Sequence, residues 1–201
     1  MKARLKDQLN LASKLTPSKV FNSAKLLASY YWSRITKKPV QWGYPASISF
    51  EPTTSCNLRC PECPSGLRAF TRPTGMLENK FFKDSITQLK KELHYLTFYF
   101  QGEPYLNPKF LDMVKFAHDN KIYTATSTNA HYLKPDIAKK TIESGLDRLI
   151  ISIDGTSQET YQSYRVGGKL EKVIEGARNI IAAKNEMNST KPFVIFQFLV
   201  V

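Results

Sequence analysis

The chain has 201 residues, 42% hydrophobic and 23% charged, with a formal net charge of +12; this suffices for one sizeable core and is ordinary for a globular protein. No run of about 18 or more uncharged apolar residues is present to cross a bilayer. The opening MKARLKDQLNLASKL lacks the apolar stretch and cleavage site of a secretory signal, so a cytoplasmic location is expected.

The charge is uneven. Residues 1–39 hold nine Lys and Arg side chains against Asp7 alone, a net +8, which leaves +4 for the other 162 residues. Within this arm Leu5, Leu9, Leu11 and Leu15, then Val20, Phe21, Leu26, Leu27, Tyr30, Tyr31 and Ile35, recur at spacings of three, four and seven. That periodicity predicts two amphipathic helices broken near Thr16-Pro17, where proline suits a helix start. A basic amphipathic helix can lie on an anionic membrane surface or bind a partner. Packing on the following domain with a solvated basic rim is the commoner use and the reading preferred here; peripheral membrane contact is the alternative.

After about residue 44 short β-branched and aromatic runs alternate with longer helix-forming ones. Strands are expected at Ala46–Phe50, Leu96–Gln101, Tyr123–Ser127, Arg148–Ile153 and Phe193–Val201, and helices at Glu78–Leu93, Pro108–Asn120, Pro135–Ser144 and Leu170–Glu186. Alternation of this kind is the signature of βαβ units and a parallel sheet. Two regions follow: an N-terminal helical arm, residues 1–44, and an α/β core, residues 45–201. The aromatic run YLTFYF at 95–100 alternates as a core strand does and not as a base-stacking platform, so no nucleic-acid partner is expected. The chain stops at FQFLVV, within an apolar strand that would leave a long edge; the expectation is a chain truncated after its fifth strand.

In parallel α/β folds chemistry gathers at the strand C-termini. Here those ends carry Cys56–Cys63, then Gln101-Gly102-Glu103-Pro104, Ser127-Thr128-Asn129 and Ser152-Ile153-Asp154-Gly155. The four clusters should meet on one rim.

All three cysteines, Cys56, Cys60 and Cys63, sit in EPTTSCNLRCPECPSG. Three is an odd number for disulfides and one short of a structural zinc site, which usually takes four ligands from two pairs. A histidine brought in by folding would complete zinc. A four-iron cluster on three thiolates leaves one iron open. The residues alone therefore admit a zinc-stabilised binding module, an iron–sulfur electron-transfer module, an enzyme, or an inactive fragment of one.

The stretch resembles the radical S-adenosylmethionine (SAM) enzyme superfamily, in which Cys-x3-Cys-x2-Cys follows the first strand of a partial (β/α)6 barrel. CNLRCPECPSG is most similar to the branch with a C-terminal SPASM or twitch extension. The resemblance implies that Cys56, Cys60 and Cys63 hold a [4Fe-4S] cluster whose open iron takes the amino and carboxylate groups of SAM. It further implies reductive cleavage of SAM, hydrogen abstraction from a substrate such as a peptide or cofactor precursor, and a reductant such as a flavodoxin or ferredoxin. Glu62 stands where the superfamily commonly has an aromatic residue beside the adenine.

FQGEP resembles that family's Gly-Gly-Glu-Pro motif, with Gln101 in place of the first glycine. There a backbone carbonyl and the carboxylate matching Glu103 accept from the methionyl ammonium, a charge-assisted contact. Ser127, Asn129, Ser152 and Asp154 match polar positions used for the ribose and methionyl carboxylate; each is also an ordinary turn-capping residue. Arg165 resembles an arginine that contacts the SAM carboxylate, a group its planar fork suits.

Overall fold

The computed structural model describes residues 2–199. Two helices open the chain, α1 (Lys2–Ser13) and α2 (Pro17–Thr36). Thr16 caps α2, its hydroxyl accepting from the Lys19 N–H, and Pro17 occupies the first turn. The break therefore falls where the Thr16-Pro17 pair placed it.

Five parallel strands follow: β1 (Ser47–Ser49), β2 (Tyr95–Thr97), β3 (Tyr123–Thr128), β4 (Arg148–Ser152) and β5 (Phe193–Gln197). Their order in the sheet is their order in the chain, every neighbouring pair parallel. The connections contain α3 (Pro64–Leu67), α4 (Asn79–Leu89), α5 (Phe110–Asp119), α6 (Pro135–Glu143), α7 (Gln158–Tyr164) and α8 (Leu170–Glu186). This is the α/β architecture expected, the successive strands of a partial (β/α) barrel.

The crossover helices each bury one stripe: Phe82 and Ile86 of α4, Phe110, Met113, Val114 and Ala117 of α5, Ala138 and Ile142 of α6, Val173, Ile180 and Ala183 of α8. These meet Leu96, Phe98, Leu149 and Ile151 of the sheet in one core. Tyr95 stacks on Tyr123 at 5.2 Å between centroids, an apolar cross-strand pair of the kind that secures register.

Several boundaries differ from the periodicity. Strand β2 ends at Thr97 and not at Gln101, although the Phe98 N–H still bonds to Ala125 at 2.8 Å. The chain then turns at Gly102, whose φ of +80° is left-handed, and a Cβ there would lie 2.0 Å from the Thr53 carbonyl. The aromatic run splits accordingly, with Leu96 and Phe98 in the core and Phe100 exposed. Helix α4 ends at Leu89, four residues early. Helix α7 was not foreseen: it is short and polar, and a Ser157–Thr160 capping box starts it. The expected fifth strand ran to Val201; it ends at Gln197, and Val200 and Val201 lie outside the described residues.

The arm docks on the core through polar contacts. Asp7 of α1 is buried, accepts from the Tyr123 hydroxyl and pairs with Arg148. The Asn10 amide donates to Asp147 at 2.9 Å. Lys19 of α2 is buried with its ammonium on the Lys121 carbonyl at 2.5 Å and the Lys14 carbonyl at 3.3 Å. Tyr123 and Arg148 begin β3 and β4, so α1 covers the N-terminal end of the sheet, opposite the strand ends that carry the cysteine loop. Among the described residues no helix is long and apolar enough to cross a membrane.

Candidate active site

The loop after β1 carries the three thiols. Cys60 is buried and Cys56 and Cys63 are half-buried, all three free of disulfides. The loop closes on itself at Gly66, where a Cβ would lie 2.4 Å from the Cys60 carbonyl. The sulfurs share a cleft of about 290 Å³ with Gln101, Gly102, Glu103, Ser127, Asn129, Ser152 and Arg165. Ten of the eleven site residues read from the sequence thus converge at the C-terminal end of the sheet. Tyr99, Phe100, Thr128 and Gln197 complete much of the wall.

Asp154 is the exception. It is buried behind the cleft, with one oxygen accepting from the Leu199 N–H at 2.8 Å and the other paired with Arg165. Here Asp154 is engaged with Arg165, whose Nη1 lies 3.7 Å from the Cys60 sulfur. Arg165 faces the cysteine loop in this arrangement, and the pairing with Asp154 occupies one side of its fork.

Glu103 is 2% exposed. One oxygen accepts from the Thr128 hydroxyl at 2.7 Å, and the other from the Asn129 N–H at 2.8 Å. Burial pushes this carboxyl up to about 7, against the downward pull of those donors. The oxygen bonded to Thr128 also accepts from the Tyr105 N–H at 3.4 Å, so it is the oxygen bonded to Asn129 that keeps lone-pair capacity for a cation. The Gln101 side-chain amide oxygen, Oε1, accepts from Ser65 and from the Cys63 thiol, both at 3.2 Å, and the Gly102 N–H donates to Ser65 Oγ at 2.9 Å. The side chain of Gln101 therefore braces the cysteine loop. Thr128, Ser65 and Asn57, the last bonded to the Asn129 amide at 2.8 Å, were not read from the sequence. Thr128 lies inside the Ser127-Thr128-Asn129 strand end, and its place beside Asn129 is the signal in the sequence that points to it.

Among the described residues no three His, Cys, Asp or Glu side chains converge tightly enough to hold a single metal ion. A cluster is a wider body, and three sulfurs spread round one cleft fit it. Donors already point at these sulfurs: the Leu58 N–H and Asn129 amide at Cys56, 3.4 and 3.9 Å away, and Arg165 at Cys60. Burial pushes the Cys56 and Cys60 thiols up, and Arg165 opposes this at Cys60. Metal coordination deprotonates a thiol outright, and such donors favour the thiolate that results. The residues fit an iron–sulfur cluster.

None of the three histidines lines the cysteine cleft. His131 Nε2 accepts from the Lys169 N–H at 2.9 Å, and His118 Nδ1 lies 3.1 Å from the Lys14 ammonium.

Residues 50–194 match the family model of the radical SAM superfamily, and the chain belongs to that superfamily of enzymes. It is similar to the AdoMet-dependent heme synthase of Methanosarcina barkeri, 32% identical over 136 residues, covering 66% of this chain and 38% of that protein. It is also similar to the mycofactocin maturase MftC of Mycobacterium tuberculosis, 27% identical over 139 residues, covering 69% of this chain and 35% of that one. Among solved structures it shares the fold of native anSMEcpe with bound AdoMet, with a TM-score of 0.60 at 22% identity over 77% of this chain and 43% of that chain. The chain thus spans little more than a third of the length of these curated relatives.

Proposed function

We propose that this chain is the catalytic core of a radical SAM enzyme acting in the cytoplasm, with residues 45–201 as the core and 1–44 as an accessory arm. One observation carries the reading: three unpaired thiols share a single cleft with the strand-end groups Gly102–Glu103, Ser127–Asn129 and Ser152. Cys56, Cys60 and Cys63 hold a [4Fe-4S] cluster, and SAM binds against the strand ends. Bound together, these cofactors supply one-electron cleavage of a sulfonium C–S bond and a carbon radical that takes hydrogen from a substrate.

The protein's own part is placement. Glu103 receives the methionyl ammonium, with Thr128 and the Asn129 backbone holding its two oxygens apart. Ser127, Asn129 and Ser152 offer hydroxyl and amide groups to the ribose and methionyl carboxylate. Arg165, aimed by Asp154, steadies negative charge at the Cys60 sulfur and presents its free edge to the cleft. Electrons come from a flavodoxin or ferredoxin. The cysteine loop, similar to that of the SPASM and twitch branch, and the relatives named as a heme synthase and a maturase favour a cofactor precursor or a peptide as substrate.

Anaerobic reconstitution with iron and sulfide tests the first half, with about four irons per chain and a brown chromophore expected. A colourless, zinc-loaded product would overturn it. Dithionite and SAM should then release 5′-deoxyadenosine. A well-formed cluster without cleavage points instead to an electron-transfer module or an inactive fragment of an enzyme.

A further inference from the structure

Helix α2 is built inside out. Its buried side chains are Lys19, Asn22 and Ser29. These meet the polar backbone of the following loop and the core: Asn22 exchanges two hydrogen bonds with the Tyr44 backbone at 2.8 and 2.9 Å, and Lys19 serves the Lys121 carbonyl. The opposite face is apolar and open. Val20, Leu27, Tyr31 and Ile35 lie along one stripe at helical spacing, with Phe21 and Trp32 at its edge; Ile35 is 78% exposed and Phe21 66%. The loop after the helix extends the stripe, since Trp42 packs on Trp32 at 6.2 Å between centroids.

A contiguous apolar face of this size rimmed by polar groups marks an interaction site, and the charge around it says with what. No acidic residue occurs between Asp7 and Glu51, a stretch that holds Lys14, Lys19, Lys25, Arg34, Lys37 and Lys38. Asp7 itself is buried against Arg148, so nothing negative is presented by the arm. Of the bases, Lys14 and Lys19 are buried, while Arg34, Lys37 and Lys38 stand exposed at the C-terminal end of the stripe. Tryptophan and tyrosine beside exposed cations are the residues that settle at the headgroup level of a bilayer.

We infer that α2 and the loop through Tyr44 form a docking surface for an anionic lipid bilayer. Val20, Phe21, Leu27, Tyr31 and Ile35 enter the acyl boundary, while Arg34, Lys37 and Lys38 meet the headgroups. The helix lies flat on the membrane and does not cross it. Because α1 clamps the arm to the N-terminal end of the sheet, the cysteine cleft faces away from the bilayer.

Both tryptophans of the chain, Trp32 and Trp42, lie on this surface, so intrinsic fluorescence reports the event directly. The whole chain is titrated with vesicles of phosphatidylcholine alone and of equal parts phosphatidylcholine and phosphatidylglycerol. A blue shift and co-sedimentation with the anionic vesicles only are expected, both weakening as salt rises. Ile35→Glu, at a site too exposed to affect folding, should weaken binding by about tenfold. Lys37→Ala and Lys38→Ala should each weaken it by about fivefold, with unchanged circular dichroism. Equal binding to both vesicles, or no shift with either, overturns the inference. So does a concentration-dependent dimer whose tryptophans are already blue-shifted without lipid, which would assign the surface to a second copy of the chain.

Discussion

The two ends of the sheet both bury carboxylates, but they treat them differently. At the N-terminal end Asp147 is fully buried and saturated: it accepts from Asn10 and Lys191 at 2.9 Å and from the Thr124 N–H at 2.9 Å, with Lys14 at 3.8 Å. Asp7 is likewise matched by Arg148 and Tyr123. Both of these carboxylates are answered by cations of the chain, while the Lys19 ammonium rests on backbone carbonyls. At the C-terminal end Glu103 has neutral donors and no cation in contact, and its carboxyl is held up at about 7. The difference separates a lock from a site. A lock spends its polar capacity on the fold, whereas a site keeps some of it, at a cost in stability, for a ligand.

The comparison breaks most sharply at the cysteines. Cys60→Ala should abolish retention of iron after reconstitution, read as iron per chain, while the metal-free protein still unfolds cooperatively. Loss of folding instead would make the loop a structural element. At the opposite end Asp147→Ala strands Lys14 and Lys191 and cuts the tether to Asn10. Breaking a buried ionic cluster in this way costs about 3–5 kcal/mol, measurable as a lower urea midpoint. Iron bound per folded chain should not change.

Glu103 gives the next effect, and its direction follows from its pKa. The folded carboxyl titrates near 7, against the ordinary 4.5, so between those values the folded chain binds more protons than the unfolded one. Stability should therefore be greatest below about 4.5 as far as this group decides it, and fall as pH rises through 7. Glu103→Gln should flatten that fall in the metal-free chain, by a few kcal/mol across the window. An unchanged pH profile would show that Glu103 is not held protonated. The smallest change is expected from Thr128→Val, which removes one donor to Glu103. It should cost about 1 kcal/mol and raise the Glu103 midpoint further, visible as a shifted pH profile more than a lost fold.

Much of this was legible in the chain. The alternation of β-branched runs with amphipathic segments reports parallel β/α order because each periodicity is a local consequence of burial, of two faces for a strand and of one for a helix. The cysteine spacing and the Gly102-Glu103 pair were readable for the same reason: a tight turn and a ligand loop are short-range requirements. Boundaries were less so. Strand β2 stops at Thr97, although the aromatic run continues, because Phe100 turns outward to the cleft.

The amino-acid sequence by itself determined the order of elements, the break at Thr16-Pro17, the placement of the cysteine loop and the strand end at which polar residues gather. Only the tertiary structure decided what the polar groups do there. Asp154 pairs with Arg165, Thr128 donates to Glu103, and α2 puts its polar side inward. Each outcome depends on which distant residue supplies a partner. Arg165 reaches Cys60 across 105 positions and Lys19 reaches the Lys121 carbonyl across 102. Hydrophobic periodicity says that a helix has an apolar face; it does not say whether the surface beneath needs apolar contact or hydrogen-bond donors, because that surface is assembled from the rest of the chain.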